Sequence, residues 1–367
     1  MRKYHLVRRA DAKIQRTLIY YAIGLIVSLG IGAILLAALG INPFEYYGRM
    51  LTIGLVGNKY GYRQIEGLLK NFVPLLITSV ALSLSFKMRF WNIGGEGEFL
   101  AGAIAAAIVA FQVTGLPNFV TVLLMCLAAM ISSGLIGVAV AALKVKFNTN
   151  ETLMTLMINY IMLYVIKYIG ETKADWNFFL QEESDRPIFG TFPQSAFMGS
   201  IPIGKFSLLW SVIIAVALTV IIYVYLKYTK HGYEISVVGD SSATAKYAGM
   251  SVGKIVLRTM FITSALIGLA AALAVSSAGT ISDSITNDVG WTGIIVAWLS
   301  KLNIPAVFVT SFLIEVLQYG CQIAASHYPA IDSNYANLLQ GIILFSVLVA
   351  DFVANFRVVR KEDAKNA

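Results

Sequence analysis

The chain has 367 residues, of which 57% are hydrophobic and only 13% are charged, and its mean hydropathy is +0.73. Soluble domains carry about 25% charged residues, so this composition cannot cover a water-facing surface and excludes soluble enzyme folds. In so apolar a chain, the net charge of +8 is better explained by basic residues that orient the protein in a membrane than by nucleic-acid binding.

The first long apolar run, residues 18–41, is predicted to be a retained transmembrane helix. It exceeds the about 7–15 apolar residues found in the core of a signal peptide. Basic side chains are concentrated before this run, in residues 1–17, and after the last apolar run, in residues 357–367. By the positive-inside rule, both tails are expected to be cytoplasmic.

The apolar runs together predict an all-α integral membrane protein, a polytopic bundle of about ten (about eight to ten) transmembrane helices. Residues 42–70, with Tyr46 among their tyrosines, are expected to form an interfacial segment, and residues 170–205 an external loop. The two short runs on either side of Lys301 are interpreted as two spans, as one broken pair or as a re-entrant segment. The predicted spans cover residues 18–41, 71–86, 99–115, 119–143, 152–168, 206–226, 256–279, 289–300, 303–320 and 337–356.

A glycine-rich break separates the second and third predicted spans. The segment Asn92–Glu98 reads Asn-Ile-Gly-Gly-Glu-Gly-Glu. Glycine lets the backbone turn and expose peptide groups that line a polar path, so we expect a hinge or path-lining segment. Glu96 and Glu98 are expected near its cytoplasmic mouth, and an ordinary tight turn is the alternative. The predicted path residues of this segment are Asn92, Gly94, Gly95, Glu96 and Glu98.

A second segment, Asp288–Gly293, shows a similar glycine pattern before another apolar run. The two segments would enter the membrane from opposite sides, which suits inverted repeats. Chance similarity between two glycine-containing loops explains the pattern equally well.

A polar residue inside the fifth predicted span is the next candidate. Asn150 is positioned as a helix cap, whereas Asn159 lies within the span, where a polar side chain is costly in lipid. Asn159 is therefore expected to face the bundle, either as a hydrogen-bonding group between helices or as a substrate contact. The neighbouring Tyr160 could stack on a planar ring, although simple packing is the better explanation.

The polar segment 227–255 contains several lysines and is expected to be cytoplasmic. Within it, residues 239–250 are mostly small, with Asp240 or Ser241 as a helix cap and Gly249 as a stop. Such a short helix suits docking into the groove of another protein, and a solvated connector is the alternative.

Catalytic and metal sites find little support in the sequence. The chain has three histidines and two cysteines, which are too few and too scattered for a metal site. Gly249–Lys254 resembles a phosphate loop, but it has one residue too few between its glycines, and Ile255 stands where Ser or Thr should bind magnesium. We therefore expect no ATPase site in this chain.

Glu315 lies deep in a predicted span. Ion-coupled carriers need such groups near the middle of the membrane, so Glu315 is the strongest sequence evidence for an ion-coupled secondary transporter. A structural hydrogen bond is the more common explanation.

Three motifs, in chain order, resemble those of a known family. They are Asn92–Gly97, Asn150–Tyr160, and Gly239–Met250 followed by Ser264–Ala271. Together they are similar to the permease subunits of ATP-binding cassette (ABC) importers for nucleosides and simple sugars, a superfamily that also holds ribose and branched-chain amino-acid permeases. The resemblance covers about residues 71–356, and the first motif looks more like the nucleoside branch than the ribose branch.

This resemblance implies a type II-like importer permease, with residues 18–356 as one transmembrane domain in the cytoplasmic membrane of a prokaryote. It implies three partners besides the lipid bilayer: a second permease chain, expected to form a heterodimer; a cytoplasmic ATPase that binds ATP and Mg; and an extracytoplasmic substrate-binding protein or lipoprotein. This chain itself is expected to bind no cofactor and no nucleic acid and to catalyse no reaction. The implied ATPase-coupling residues are Gly239, Asp240, Ala245, Tyr247, Ala248 and Gly249.

Two positions depart from the family pattern. Asp240 and Ser241 stand where the family commonly has a Glu-Asn pair, and Glu98 stands where Gln is frequent. These departures weaken the transfer of individual residue roles.

The resulting functional expectation is a translocation path for nucleosides, driven by the partner ATPase. Asn92, Asn159 and Trp291 are the expected weak contacts, and Tyr160 or Trp291 could contact the flat face of a base. Replacing Asn159 by Leu is expected to reduce uptake and to leave assembly intact. The alternatives are a permease for a simple sugar such as ribose and an ion-coupled transporter that uses Glu315.

Overall fold

The computed structural model describes residues 4–8, 14–56, 58–181, 184–328, 331 and 333–360. The predicted tail residues 1–3, 9–13 and 361–367 and the loop residues Glu182 and Glu183 lie outside the described residues. The helices are α1 (Ile14–Ala38), α2 (Pro43–Thr52), α3 (Gly61–Lys87), α4 (Gly95–Gln112), α5 (Asn118–Phe147), α6 (Glu151–Glu171), α7 (Trp210–Tyr228), α8 (Lys230–Asp240), α9 (Ser242–Tyr247), α10 (Val252–Ala278), α11 (Val289–Leu299), α12 (Ile304–Ala325) and α13 (Ser333–Asn355). The strands are β1 (Tyr4–Arg8), β2 (Ser200–Ile203), β3 (Phe206–Leu209) and β4 (Phe356–Arg360).

Within the described residues, nine helices are long and apolar enough to cross a membrane. The predicted all-α polytopic bundle is confirmed, and the count falls inside the predicted range. The two short runs around Lys301 differ from each other: α12 has 22 residues, whereas α11 has only 11 and is too short to span a bilayer alone.

The chain divides into two compact units. One comprises Met1–Gly61 with Val316–Ala367, and the other comprises Tyr62–Glu315. The predicted bounds of a single membrane domain, residues 18–356, stay a prediction.

In the first unit, helices α1 and α13 pack together and strands β1 and β4 form an antiparallel pair. The Tyr21 hydroxyl donates to Asp351 Oδ1 at 2.6 Å. The interfacial position of residues 42–70 stays a prediction, but Tyr46 packs inside this unit. Its side chain is fully buried and its hydroxyl donates to the Cys321 carbonyl, because α2 is amphipathic and packs its Tyr46 and Met50 face into the core.

In the second unit, small residues bring α4, α5 and α10 into close contact. An added Cβ at Gly102 would lie 2.8 Å from both the Gly268 Cα and the Ser133 Oγ. A side chain at Gly268 would in turn collide with the Ala129 carbonyl. Since lipid provides little hydrophobic drive between helices, this close backbone approach supplies the packing energy that holds the three helices together.

Described residues between α6 and α7 pack against the end of α10, and the external position of residues 170–205 stays a prediction. The Phe192 N–H donates to the Gly279 carbonyl at 2.8 Å, and the Ser276 hydroxyl donates to the Ala196 carbonyl at 2.8 Å. The Phe111 ring packs edge-on against three phenylalanine rings of this segment. Strands β2 and β3 then form a hairpin, so α7 begins at Trp210, four residues later than its predicted start.

The glycine contact between α4 and α10 gives the first prediction. Gly102→Ala should lower the free energy of unfolding by about 1–3 kcal/mol, because backbone must move to accept the methyl group. Thermal unfolding of the solubilised protein measures this effect. Gly30→Ala is the matched control, since an added Cβ there meets nothing within 4 Å. Equal shifts for the two variants would contradict the packing argument.

Candidate functional site

The break between α3 and α4 covers residues 88–94, and α4 begins at Gly95. The predicted break, Asn92–Glu98, therefore extends too far: Glu96 and Glu98 lie in the first turn of α4. Carboxylates are favourable at this end of a helix, where they complement unpaired N–H groups. Glu98 is only 1% exposed, so its side chain lies inside the protein, and its predicted place near the cytoplasmic mouth stays a prediction.

Asn92 and Glu98 form the buried centre of the break. The Asn92 Nδ2 donates to both carboxylate oxygens of Glu98, at 3.1 and 3.2 Å, and its Oδ1 accepts the Gly94 N–H at 3.0 Å. The Ser133 hydroxyl of α5 donates to the Glu98 carbonyl at 2.6 Å. These bonds fix the shape of the chain as it re-enters the bundle.

Asn159 attaches the same break to α6. Its Oδ1 accepts the Gly97 N–H at 2.8 Å and its Nδ2 donates to the Ile93 carbonyl at 2.9 Å. The Thr155 hydroxyl accepts the Ile93 N–H at 3.1 Å. Gly97 is required because a Cβ at this position would lie 2.6 Å from the Ile158 carbonyl oxygen. The geometry of Asn159 thus matches the expectation of a hydrogen-bonding group between segments.

The first turns of α4 and α11 lie against each other. The Gly290 N–H donates to Glu96 Oε2 at 2.8 Å, and the Trp291 N–H and the Thr286 hydroxyl face the same carboxylate. A Cβ added at Gly95 would lie 3.4 Å from the Gly290 Cα. The two glycine-containing segments that look alike in sequence are therefore neighbours in the fold, although their origin as inverted repeats stays a hypothesis.

Glu96 takes the role of a helix cap for α11. The residue in the cap position, Asp288, has a left-handed backbone with φ 56° and makes no capping hydrogen bond with its side chain. Because the first N–H groups of a helix need acceptors, the carboxylate supplied by α4 stabilises the start of α11 inside the bundle.

The predicted path residues separate into three groups. Tyr160 is 51% exposed and is not part of the cluster, while Trp291 adjoins it through its backbone and keeps a side chain that is 40% exposed. The structure brings together Asn92, Gly94, Gly95, Glu96, Glu98 and Asn159.

Sequence reasoning missed several residues of this site. Trp91, within the break, stacks on Trp298 of α11 with ring centroids 5.3 Å apart. The spacing of Trp291 and Trp298 indicates that they share one face of a helix, but it does not indicate that Trp91 stacks on Trp298. No sequence signal pointed to Ser133 or Thr155.

The predicted coupling segment contains two helices, α8 and α9. The Ser241 Oγ accepts the Thr244 N–H at 3.2 Å and so caps α9, as predicted, and Gly249 has a left-handed backbone after its end. Tyr247 is 99% exposed, whereas Ala245 is fully buried. Asp240, Ala248 and Gly249 are exposed, and Gly239 is buried beside the Lys87 carbonyl.

A groove of about 620 Å³ lies beside α8 and α9. Its wall carries both charges: Arg89, Lys144 and Lys246 against Asp240 and Glu151. Lys144 and Glu151 form an ion pair at 2.9 Å that closes the turn between α5 and α6.

Elsewhere in the second unit, Glu315 is 1% exposed, and its Oε1 has no hydrogen-bond partner within the described residues. Among those residues, no group of three or more His, Cys, Asp or Glu side chains is arranged to hold a metal ion.

Comparison with known proteins identifies the family. The family model described as branched-chain amino acid transport system / permease component matches residues 64–348. The chain belongs to this family. The resemblance to ABC permeases of the nucleoside and simple-sugar type is thereby confirmed.

Three relatives match most of the chain. The guanosine ABC transporter permease protein NupP of Bacillus subtilis is 27% identical, over 92% of this chain and 93% of the relative. The nucleoside ABC transporter permease protein NupB of Lactococcus lactis is 26% identical, over 81% and 82%. The glucose ABC transporter permease protein TsgB13 of Haloferax volcanii is 25% identical, over 91% and 87%. A solved inward-facing ABC transporter of metal-chelate type aligns with a TM-score of 0.44 at 16% identity, over 89% of this chain and 97% of the other.

Asn159 gives the second prediction. Asn159→Leu should reduce both uptake and stability, because the Gly97 N–H and the Ile93 carbonyl would lose their partner, at a cost of about 1–3 kcal/mol for each buried group. The initial expectation of intact assembly is thus revised. Thermal unfolding and yield of the assembled complex measure the change. Tyr160→Leu, at the exposed neighbouring position, should change stability by less than about 0.5 kcal/mol. A stable Asn159→Leu protein would contradict the bridging role.

Proposed function

We propose that this chain forms the translocation path for nucleosides in an ATP-driven importer. The observation that carries the proposal is the contact between Glu96 in the first turn of α4 and Gly290 in the first turn of α11. Interrupted helices whose ends meet inside a bundle are how membrane carriers build polar sites away from lipid. The similarity to a nucleoside permease over 81% of the chain and to a guanosine permease over 92% supports the choice of solute.

The buried polar residues would shape the path without touching the solute. Asn92 bonds to the Glu98 side chain, and Asn159 bonds to the backbone of Gly97 and Ile93. These bonds would hold the break in place as part of the wall of the path. Glu96 and Gly290 would then define where the wall of α4 meets that of α11. Tyr160, outside this cluster, has no role in the proposed path.

The α8–α9 pair would bind the partner ATPase. Tyr247 offers a fully exposed aromatic ring, a residue type that often dominates the binding energy of an interface. Ala248 and Asp240 are also exposed, while the buried Gly239 and Ala245 would hold the pair in place. ATP and Mg would be bound by the partner, and this chain would contribute no ATPase site.

The complete importer would also contain a second, different permease chain and an extracytoplasmic binding protein or lipoprotein. It would lie in the cytoplasmic membrane of a prokaryote with both termini of this chain in the cytoplasm. The four lysines of residues 227–255 (Lys227, Lys230, Lys246 and Lys254) support this orientation by the positive-inside rule.

A simple sugar is the second candidate solute, because the glucose permease relative matches 91% of the chain. Ion-coupled transport through Glu315 has less support, since the three named relatives are ABC transporter permeases.

Uptake by the purified complex tests this proposal. The complex would be isolated with its copurifying subunits, reconstituted in liposomes and given labelled guanosine, adenosine, uridine, cytidine, ribose or glucose. We expect uptake of nucleosides that requires ATP and survives an ionophore at constant ATP. Uptake of sugars alone would establish the second candidate, and loss of uptake with the ionophore would overturn ATP-driven transport.

Tyr247 gives the third prediction. Tyr247→Ala should reduce retention of the ATPase and uptake by about tenfold or more, as expected for an aromatic residue at the centre of an interface. Copurification measures directly how much of the ATPase is retained. Tyr164→Ala is the matched control, because Tyr164 is 66% exposed on α6, away from α8 and α9 in sequence. Equal retention of the ATPase by both variants would remove Tyr247 from the interface.

A further inference from the structure

Helix α11 has one packed face and one open face. Thr292, Val296 and Ala297 are buried, whereas Trp291 and Trp298 are 40% and 41% exposed. Residues seven apart lie two turns apart on the same side of a helix. The two indoles therefore lie along the same open face.

The far end of this face carries a stacked pair of indoles. The rings of Trp91 and Trp298 are 5.3 Å apart with an interplanar angle of 19°. The buried Phe86 ring packs against both, at 6.1 Å from Trp91 and 5.7 Å from Trp298. Trp91 is itself 46% exposed, so the pair is supported from within and open to its surroundings.

The near end of the face carries a carboxylate. Asp288 is exposed and lies one turn before Trp291. An aspartate at a helix cap usually accepts N–H bonds, yet here Glu96 accepts the Gly290 N–H and the Asp288 side chain makes no capping bond. The carboxylate of Asp288 is thus available to a ligand that donates hydrogen bonds.

We propose that this row of side chains recognises the nucleoside along the path. We call the row the α11 tryptophan face; it consists of Asp288, Trp291 and Trp298, with Trp91 stacked on Trp298. The inference rests on the proposed function and names the residues that select the solute. Indole faces stack on any base, because every base has a π-face, and a carboxylate accepts hydrogen bonds from sugar hydroxyls. The face therefore fits nucleosides as a class, with little preference among the bases.

Lipid is a poorer occupant of this face. A charged side chain facing hydrocarbon is costly, and Asp288 is exposed next to Trp291. Helix α11 is also too short to present a spanning apolar surface.

Substitution of Trp298 in the reconstituted complex tests the stacking role. Trp298→Leu should reduce uptake of the transported nucleoside by about tenfold, and Trp298→Phe should restore most of it, since a base stacks on either aromatic ring. Trp291→Leu should resemble Trp298→Leu. Trp210→Leu is the matched control, because Trp210 is 47% exposed at the start of α7 and should leave uptake unchanged.

Asp288 provides a second, independent variant at an exposed position. In the wild type, an unlabelled 2′,3′-dideoxynucleoside should inhibit uptake of the labelled nucleoside about tenfold less well than the unlabelled nucleoside does. The reason is that the dideoxynucleoside lacks two hydroxyl donors. Asp288→Leu should remove most of this difference, and Asp288→Asn should retain part of it through its remaining carbonyl acceptor.

The outcomes separate the inference from the proposed function. If the wild type transports nucleosides while Trp298→Leu and Trp291→Leu behave like Trp210→Leu, the recognition face is wrong and the proposed function stands. Equal losses in Trp298→Leu and Trp298→Phe, or unchanged discrimination in Asp288→Leu, would also overturn the inference. If the wild type transports no nucleoside, the proposed function itself fails.

Discussion

The hydrogen bond from the Gly290 N–H to the Glu96 carboxylate joins the first turns of two helices that are 194 residues apart in sequence. A helix that begins inside a bundle leaves N–H groups without water to bind, and each unsatisfied group is costly. Glu96 meets this requirement from a neighbouring helix, which leaves the Asp288 side chain uncommitted to capping. This contact holds the start of α11, and with it the position of the open tryptophan face, whereas Asn92, Glu98 and Asn159 hold the break before α4.

Much of the helical framework could be predicted from the sequence, because long apolar runs bounded by charge or by a capping residue are local signals. The α6 start at Asn150 is an example, since its side chain accepts the Thr152 and Leu153 N–H groups. The start of α4 was misplaced because glycines usually interrupt helices, whereas here Gly97 serves the approach of α6. The pairing of Asn159 with the break could not be predicted, since hydrophobic periodicity does not specify which distant segments meet.

The chain separates three tasks among its polar and aromatic residues. Buried amides and carboxylates hold the interrupted backbone, as Asn92 does for Glu98. Small residues such as Gly102 and Gly268 bring the supporting helices together. Exposed aromatic side chains, including Tyr247 and Trp298, are the residues that we propose for contact with the partner ATPase and the solute. Among the polar residues predicted as path contacts, Asn92 and Asn159 make hydrogen bonds within the protein, and of the proposed recognition face only Trp291 could be named from the sequence.

Accessibility of residue 288 tests most directly whether the start of α11 lines the path. A cysteine would replace Asp288 in a protein whose Cys126 and Cys321 are changed to serine, and its reaction with a water-soluble thiol reagent would be timed in the reconstituted complex. The account predicts a reaction that the transported nucleoside slows severalfold. A cysteine at the exposed Tyr160 position should react at a rate that the nucleoside does not change. An unreactive residue 288, or one that reacts equally fast with and without nucleoside, would contradict the account.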